Sequence, residues 1–269
     1  MPTGDPGDPP PPDVVAAFGA SGDAVALSGG RRTVWRVGGV VLKPLDCDPE
    51  TLAWQESLLN RVDGHPEFRV APPLRSPPGE LVVDGWTAWR FEAGRPAAGR
   101  WLDIIATGDA FHRAVADVPR PGWMDERVDP WAVADRVAWG ETPASAFLDV
   151  PPVREIVPLL RPLHAPAQLV HGDLTGNVLF ADGRAPVILD LSPFWRPPVT
   201  AAAIVVVDAL LREGAGSHLV DAVADRPDFP QYFLRALIFR AVAQAELGDH
   251  DFGPFTAPLR LALELARPV

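Results

Sequence analysis

Residues 168–191, QLVHGDLTGNVLFADGRAPVILDL, are the part of the second half of the chain in which short apolar runs alternate with turn residues. Two of these runs flank the turn-forming segment 182–185, and this pattern predicts a β-hairpin. A symmetric pairing about that turn places Asn177 opposite Asp190, within the usual distance of cross-strand neighbours. The stretch therefore predicts that an amide oxygen and a carboxylate meet at one end of a hairpin.

Such a pair of oxygen ligands is a candidate site for a hard cation. Mg²⁺ takes oxygen ligands and needs only one or two from the protein when phosphates supply the others. Asp173 lies four residues before Asn177, in a tight loop that contains Gly176. This spacing lets Asp173 act on a group held at the metal, where it would orient an attacking hydroxyl and accept its proton.

The first part of the chain, residues 13–92, is predicted to form a small lobe of antiparallel strands with one helix. Short apolar runs form a meander that ends at Lys43, and a second hairpin follows within residues 81–91. The helix between them ends before Gly64 and carries Glu56 on its apolar stripe. Because a buried carboxylate is costly without a partner, Glu56 is expected to form an ion pair.

The remainder, residues 93–269, has mainly helical periodicity, with the catalytic hairpin region 168–191 as the exception. Residues 1–12, MPTGDPGDPPPP, are acidic and rich in proline, and they are predicted to be a disordered tip. The predicted fold class is therefore α+β, with a small β lobe followed by a larger, mainly helical lobe.

Charge and composition exclude several classes of protein. The net charge of −11 argues against a general nucleic-acid binder, which needs a basic face for phosphates. No apolar run reaches the ~18 residues that a membrane span requires, so no membrane association is expected. Cys47 is the only cysteine in the 269 residues, which favours a reducing, cytoplasmic setting without disulfides.

The basic residues are unevenly distributed, because 23 of the 24 are arginine and Lys43 is the only lysine. Codon bias in a GC-rich genome explains this scarcity and that of asparagine, which occurs only at Asn60 and Asn177. The positions that keep these residues are then candidates for roles that arginine or aspartate cannot fill.

The motif HGDLTGNVLF followed by VILD resembles the catalytic segment of the aminoglycoside phosphotransferase and choline kinase branch of the protein-kinase-like superfamily. The resemblance covers most of the chain and implies a bilobal protein-kinase-like fold that uses ATP and Mg²⁺ to phosphorylate a small-molecule hydroxyl. It implies Asp173 as the catalytic base and Asn177 and Asp190 as Mg²⁺ ligands. It also implies that Lys43 binds the ATP phosphates and pairs with Glu56.

Other assignments follow from position within this resemblance. Ser28, Gly29 and Gly30 begin a turn that would cover the phosphates, although the segment is not a G-x-G-x-x-G loop, and Phe91 begins the hinge that would bind the nucleotide. The step from Asp173 to Asn177 is one residue shorter than in protein kinases, which marks a divergent member with a shortened catalytic loop.

Two further side chains are given supporting roles. His171 is expected to brace the loop rather than take part in the chemistry. Asp208, within an apolar helix, is expected to be buried and to accept hydrogen bonds, and the resemblance implies that these come from the backbone of the catalytic loop.

The acceptor and one alternative function stay open. Acidic and indole side chains in residues 122–141 could hold a cationic amino-sugar or amino-alcohol, while a neutral sugar also fits. The alternative is a nucleotide-binding pseudokinase or regulatory module in which the short loop has cost catalysis. Protein kinase activity is disfavoured, because no A-P-E-like motif follows Asp190. The oligomeric state, and ATP against GTP, are not determined by the sequence.

Overall fold

The computed structural model of the chain describes residues 7–27 and 34–266. Ser28, Gly29 and Gly30, expected to cover the phosphates, lie outside the described residues. The chain divides into two compact units, one of Met1–Arg95 with Leu179–Leu189 and one of Pro96–Val178 with Asp190–Val269.

The first unit begins with a short helix and continues mainly as antiparallel strands. In chain order its first nine elements are α1 (Pro12–Ala17), β1 (Ala24–Ala26), β2 (Trp35–Val37), β3 (Val40–Pro44), α2 (Pro49–Val62), β4 (Arg69–Val70), β5 (Pro73–Leu74), β6 (Val82–Val83) and β7 (Trp86–Arg90). The main sheet has the order β1-β2-β3-β7-β5, with β6 also paired to β7. Lys43 lies on β3 opposite Thr87 of β7, so the meander and the second hairpin of the prediction form one sheet.

Local sequence signals explain where α2 begins and which face it buries. Asp48 occupies the N-cap position, Pro49 is the first helical residue, and Gly64 follows the helix with a φ of 80°. The buried side chains are Leu52, Gln55, Leu58, Leu59 and Val62. This apolar face fixes the orientation of α2, with Glu56 half-buried beside it.

The second unit is mainly helical. The elements that follow residue 96 along the chain are α3 (Trp101–Ala114), α4 (Pro130–Ala138), α5 (Pro151–Ile156), β8 (Gln168–His171), β9 (Val178–Ala181), β10 (Arg184–Ile188), β11 (Pro193–Arg196), α6 (Val199–Arg212), α7 (His218–Asp221), α8 (Phe229–Glu246) and α9 (Thr256–Leu265). Helix α8 is at the centre of the unit, buried nearly continuously from Phe229 to Ala243 and packed against α4 and α6. The α+β fold class is confirmed.

The predicted hairpin exists, but its turn is shorter than expected. Strands β9 and β10 are neighbours in one sheet and are joined by Asp182 and Gly183 alone. The prediction of a four-residue turn at 182–185 is therefore wrong, because Arg184 and Ala185 belong to β10. The pairing of Asn177 with Asp190 was derived from that turn and is not supported. An Asp-Gly pair suffices for a tight hairpin turn.

Most of this hairpin groups with the first unit rather than with the helical half of the chain. Strand β10 pairs in parallel with β4, which joins Val187 to Arg69. In addition, Phe180 and Arg95 exchange backbone hydrogen bonds of 2.9 Å in both directions. These backbone pairings are the physical reason for the grouping.

Strand β11 was not predicted from the sequence. It pairs antiparallel with β8, and the register joins Pro193 to His171 and Arg196 to Gln168. The loop that contains Asp173 begins directly after His171, the last residue of β8. None of the helices in the described ranges combines the length and the hydropathy that a bilayer crossing needs.

Candidate active site

The loop between β8 and β9 closes as a tight turn around Asp173. The backbone N–H of Asn177 donates to the carbonyl of Leu174 at 3.0 Å, and Gly176 adopts the left-handed conformation with a φ of 82°. The Asn177 amide Nδ2 then donates to the backbone oxygen of Asp173 at 2.7 Å and lies 3.3 Å from its Oδ2. The four-residue step thus brings the two side chains into contact, despite being one residue short.

Gly172 holds the start of this loop close to β11. Its N–H donates to the carbonyl of Ser192 at 2.9 Å. A Cβ atom at position 172 would lie only 2.4 Å from the ring of Phe194, which in turn packs edge-on against Phe239 at a centroid distance of 5.5 Å. Glycine is therefore required here, and the packing fixes where the loop can go.

The carboxylate of Asp173 forms an ion pair with the buried guanidinium of Arg240. The Nη2 atom of Arg240, on α8, donates to Asp173 Oδ1 at 2.8 Å and to Asp208 Oδ2 at 2.5 Å. A third bond of 2.8 Å joins Arg240 Nε to Asp208 Oδ1. The side chain of Asp173 is 41% exposed, whereas that of Asp208 is fully buried. Asp208 is thus buried as expected, but its hydrogen-bond donor is the Arg240 guanidinium rather than the loop backbone.

Two buried histidines, His171 and His112, form hydrogen bonds at the start of the loop. His171 Nδ1 accepts the backbone N–H of Asp173 at 3.1 Å, and the backbone N–H of His171 donates to His112 Nε2 at 3.0 Å. Both rings are buried. Burial, assisted by the neighbouring His171, lowers the pKa of His112 to about 3. His112 is therefore neutral at physiological pH, which leaves its Nε2 able to accept a hydrogen bond.

This low pKa predicts a pH-dependent stability. Below pH ~6.5 the unfolded chain protonates His112 while the folded chain does not, so stability falls as the pH drops toward 3. At pH 4.5 this one group is expected to cost about 2 to 3 kcal/mol relative to pH 7. Urea unfolding of the wild type and of H112Q, whose amide oxygen can still accept the His171 N–H, checks this. An equal acid loss in both proteins would contradict it.

Asn177 and Asp190 each carry an oxygen atom of the kind that Mg²⁺ binds. Asn177 donates its Nδ2 into the loop, so the opposite atom of the amide is the carbonyl oxygen that a cation requires. Asp190 lies two residues beyond β10, exposed, with a φ of 47°. Within the described residues, no three His, Cys, Asp or Glu side chains form a metal cluster. An amide, a carboxylate and phosphate oxygens together fit Mg²⁺, which rarely has an all-protein cage.

In the first unit, Lys43 and Glu56 have partners other than those predicted. Lys43 Nζ lies 2.9 Å from Asp46 Oδ2 and 5.0 Å from the centre of the Trp89 ring. Glu56 is bound by Arg75, whose Nε and Nη2 lie 2.7 and 2.5 Å from its two carboxylate oxygens. The expected pairing of Glu56 with Lys43 is thus corrected, because the planar fork of arginine satisfies both carboxylate oxygens at once.

Arginine side chains contact Phe91 and Glu92, the first two residues of the predicted hinge. The guanidinium of Arg36 stacks 3.8 Å from the Phe91 ring centre, and the Phe91 N–H donates to the carbonyl of Gly39 at 3.0 Å. The next residue, Glu92, is nearly buried and forms ion pairs with Arg69, Arg90 and Arg184. Sequence reasoning missed Glu92, although an acid beside an apolar strand end is a signal for a buried ion pair.

The acidic and indole residues of segment 122–141 are largely paired within the second unit. Arg196 binds Asp135 at 2.7 Å and Glu141 at 2.5 Å, and its guanidinium lies 4.8 Å from the Trp139 ring centre. Burial raises the pKa of Asp135 although Arg196 acts in the opposite direction. Asp129 caps α4 and pairs with Arg127 at 2.9 Å. These acids therefore offer little uncompensated charge to a cationic ligand.

Comparison with known proteins identifies the fold. No protein-family model matches the sequence, and no curated protein matches it. An apo thermostable mutant of aminoglycoside phosphotransferase APH(4)-Ia superimposes with a TM-score of 0.59 at 14% identity, over 94% of this chain and 97% of that one. An aminoglycoside phosphotransferase from Alicyclobacillus acidocaldarius gives 0.60 at 17% identity, over 96% and 93%.

A third solved structure, spectinomycin phosphotransferase APH(9)-Ia in complex with ADP and spectinomycin, gives a TM-score of 0.55 at 13% identity, over 95% of this chain and 93% of that one. The chain thus has the fold of aminoglycoside phosphotransferases along nearly its whole length. The fold implied by the sequence motif is confirmed.

Proposed function

We propose that this chain is an ATP-dependent phosphotransferase that phosphorylates a hydroxyl group of a small molecule. The observation that carries the proposal is the environment of Asp173, whose half-exposed carboxylate contacts Asn177 and is fixed by Arg240. The fold supports it, because one of the similar solved structures is a spectinomycin phosphotransferase, APH(9)-Ia, in complex with ADP and spectinomycin. Phosphoryl transfer needs mainly positioning and charge neutralisation, and the contacts of Asp173 with Arg240 and Asn177 position its carboxylate.

Each predicted residue then has a proposed role. Asp173 orients the acceptor hydroxyl and takes its proton, since its carboxylate is fixed by Arg240 and still has an exposed face. Asn177 and Asp190 would hold Mg²⁺, which neutralises charge on the phosphates when bound. The nucleotide would be bound in the first unit by the side chain of Lys43, by the segment of Ser28, Gly29 and Gly30 and by the hinge at Phe91. Glu56, which is bound by Arg75 rather than by Lys43, is assigned no contact with the nucleotide.

The acceptor is proposed to be a hydroxyl compound such as an amino-sugar, an aminoglycoside, an amino-alcohol or a neutral sugar. The ion pairs of Asp135, Glu141 and Asp129 with arginine weaken the case for a cationic acceptor bound by segment 122–141. The cytoplasm, where ATP and reduced thiols are available, is the proposed setting.

Thermal unfolding with and without nucleotide tests the proposed binding of ATP. At 100 times its Kd, a ligand stabilises the folded state by about 2.7 kcal/mol, so Mg·ATP should raise the Tm by roughly 5 °C or more. Sugar alcohols and inorganic phosphate serve as controls without a nucleoside. Binding would support either the kinase or a nucleotide-binding module, whereas the absence of any shift with ATP or GTP would contradict both.

The single lysine allows a separate test of the nucleotide site. An amine-reactive ATP analogue can modify only Lys43 and the N-terminal amine, because the chain has no other lysine. We expect mass spectrometry to find the label on Lys43, and excess Mg·ATP to protect it. The K43R variant, which keeps the charge, controls for labelling at the N-terminus. Labelling of Lys43 that ATP does not reduce would count against its role on the phosphates.

A further inference from the structure

The buried arginine of α8 is shared between a structural and a functional carboxylate. Arg240 is 3% exposed, and its Cζ lies 5.6 Å from the ring centre of Trp131 and 5.1 Å from that of Phe239. Its Nε and Nη2 both bind Asp208, which is enough to compensate one buried charge. The Nη2 nevertheless forms a second bond, to Asp173 Oδ1 at 2.8 Å.

This second bond distinguishes the two oxygens of Asp173. Oδ1 is occupied by a guanidinium that is rigid, always charged and held in place by Asp208. Oδ2 receives only the longer contact of 3.3 Å from Asn177. A carboxylate that is held at one oxygen cannot rotate freely about χ2, so its other oxygen keeps a fixed direction.

We propose that Arg240 is a positioning residue, which fixes the Asp173 carboxylate so that Oδ2 faces the acceptor hydroxyl. The inference rests on the proposed function. In the reaction, the acceptor oxygen bonds to the γ-phosphorus while the bond from that phosphorus to the bridging oxygen of ADP breaks, and the hydroxyl proton goes to Oδ2. Arg240 is buried, so its role is to position Asp173 rather than to bind substrate. It acts through Asp173, and Asp208 acts in turn by holding Arg240.

A double variant separates positioning from simple structural pairing. In R240Q alone, Asp208 keeps a buried charge and retains only the exposed Arg212 at 3.8 Å, which is expected to destabilise the fold. In D208N/R240Q both buried charges are removed, so the fold is retained while Asp173 loses its support. The matched control is D109N/R226Q, which removes an ion pair of 2.7 Å between α3 and Arg226 that does not involve the loop.

The measurement is the steady-state release of ADP from Mg·ATP, with water as the acceptor and with a panel of hydroxyl compounds. A misplaced catalytic group can cost about 100-fold in rate. We expect D208N/R240Q to be folded with a kcat reduced about 100-fold and a KM for ATP within about threefold of wild type, while D109N/R226Q keeps the wild-type kcat. A folded double variant with wild-type kcat would overturn the positioning role.

The variant R240K provides a second test should the double variant not fold. Lysine keeps a positive charge beside Asp208 but lacks the planar fork that binds two carboxylates. We expect a folded protein whose kcat falls more than tenfold at an unchanged KM for ATP, and a wild-type kcat in R240K would overturn the proposal. Wild-type protein that binds ATP but releases no ADP would instead contradict the proposed function itself.

Discussion

Replacing Asp173 by asparagine is expected to lower the kcat of phosphoryl transfer by about 10²- to 10⁴-fold, which is the usual contribution of a general base. Affinity for Mg·ATP should stay nearly unchanged. The amide has the size of the carboxylate, and its oxygen can still accept the hydrogen bond from Arg240. It cannot take the proton of the acceptor hydroxyl, so only the chemical step is lost. Steady-state kinetics gives kcat, and titration calorimetry gives the affinity.

Asp182→Asn is the matched control for Asp173→Asn. Asp182 lies in the exposed turn between β9 and β10, so the same chemical change there should leave kcat unchanged. Equal kcat values for wild type, D173N and D182N would show that Asp173 is not the base. A loss of ATP affinity in D173N as large as the loss of kcat would instead point to a role in binding.

The second large effect is expected at Asp190. Replacing it by asparagine removes a charged oxygen ligand, so half-maximal activity should need more Mg²⁺ and kcat should fall about 100-fold or more, since metal stabilisation contributes several kcal/mol. Asparagine tolerates the left-handed backbone, so the φ of 47° at this position is preserved. Activity measured against Mg²⁺ concentration checks both effects.

Asp84→Asn controls for the backbone at Asp190. Asp84 is also exposed and has nearly the same backbone conformation, with a φ of 48°, but lies in the turn between β6 and β7. We expect D84N to show the wild-type dependence on Mg²⁺. If D190N and D84N both resemble wild type, Asp190 is not a ligand of a required metal.

The elements that local patterns determine were predictable from the sequence. The mainly helical periodicity expected after residue 93 corresponds to helices α3 to α9, because apolar periodicity acts over a few neighbours. Helix α2 likewise ends before Gly64, as expected. The tight loop of Asp173 and Asn177 was also accessible, since it spans only four residues.

Interactions between distant residues were not predictable in the same way. Asp173 and Arg240 are separated by 67 residues, and Glu56 and Arg75 by 19, so their pairing depends on how the elements pack. One signal was available in α8, where Arg240 interrupts the apolar run of residues 236–243. A cation in such a place needs a buried acid, and Asp208 was already identified as one.

Two of the errors in strand assignment have different causes. The Asp-Gly pair at 182–183 was sufficient for the turn, and a two-residue loop would have given the correct strand ends. Strand β11, residues Pro193–Arg196, has no alternation of apolar and polar residues that would mark it as a strand. It is formed by its pairing with β8 and by the packing of Phe194 against Gly172 and Phe239. Its identification requires the partner strand.

The most direct test of phosphotransferase activity follows the γ-phosphoryl group itself. ATP labelled at the γ-phosphate is incubated with Mg²⁺, the wild-type protein or D173N, and a panel of aminoglycosides, amino-sugars, amino-alcohols and neutral sugars. We predict that the label appears in an organic phosphate monoester with the wild type and not with D173N. If the wild-type protein binds Mg·ATP but the label stays in ATP with every compound of the panel, this result would contradict phosphotransferase activity and favour a nucleotide-binding module.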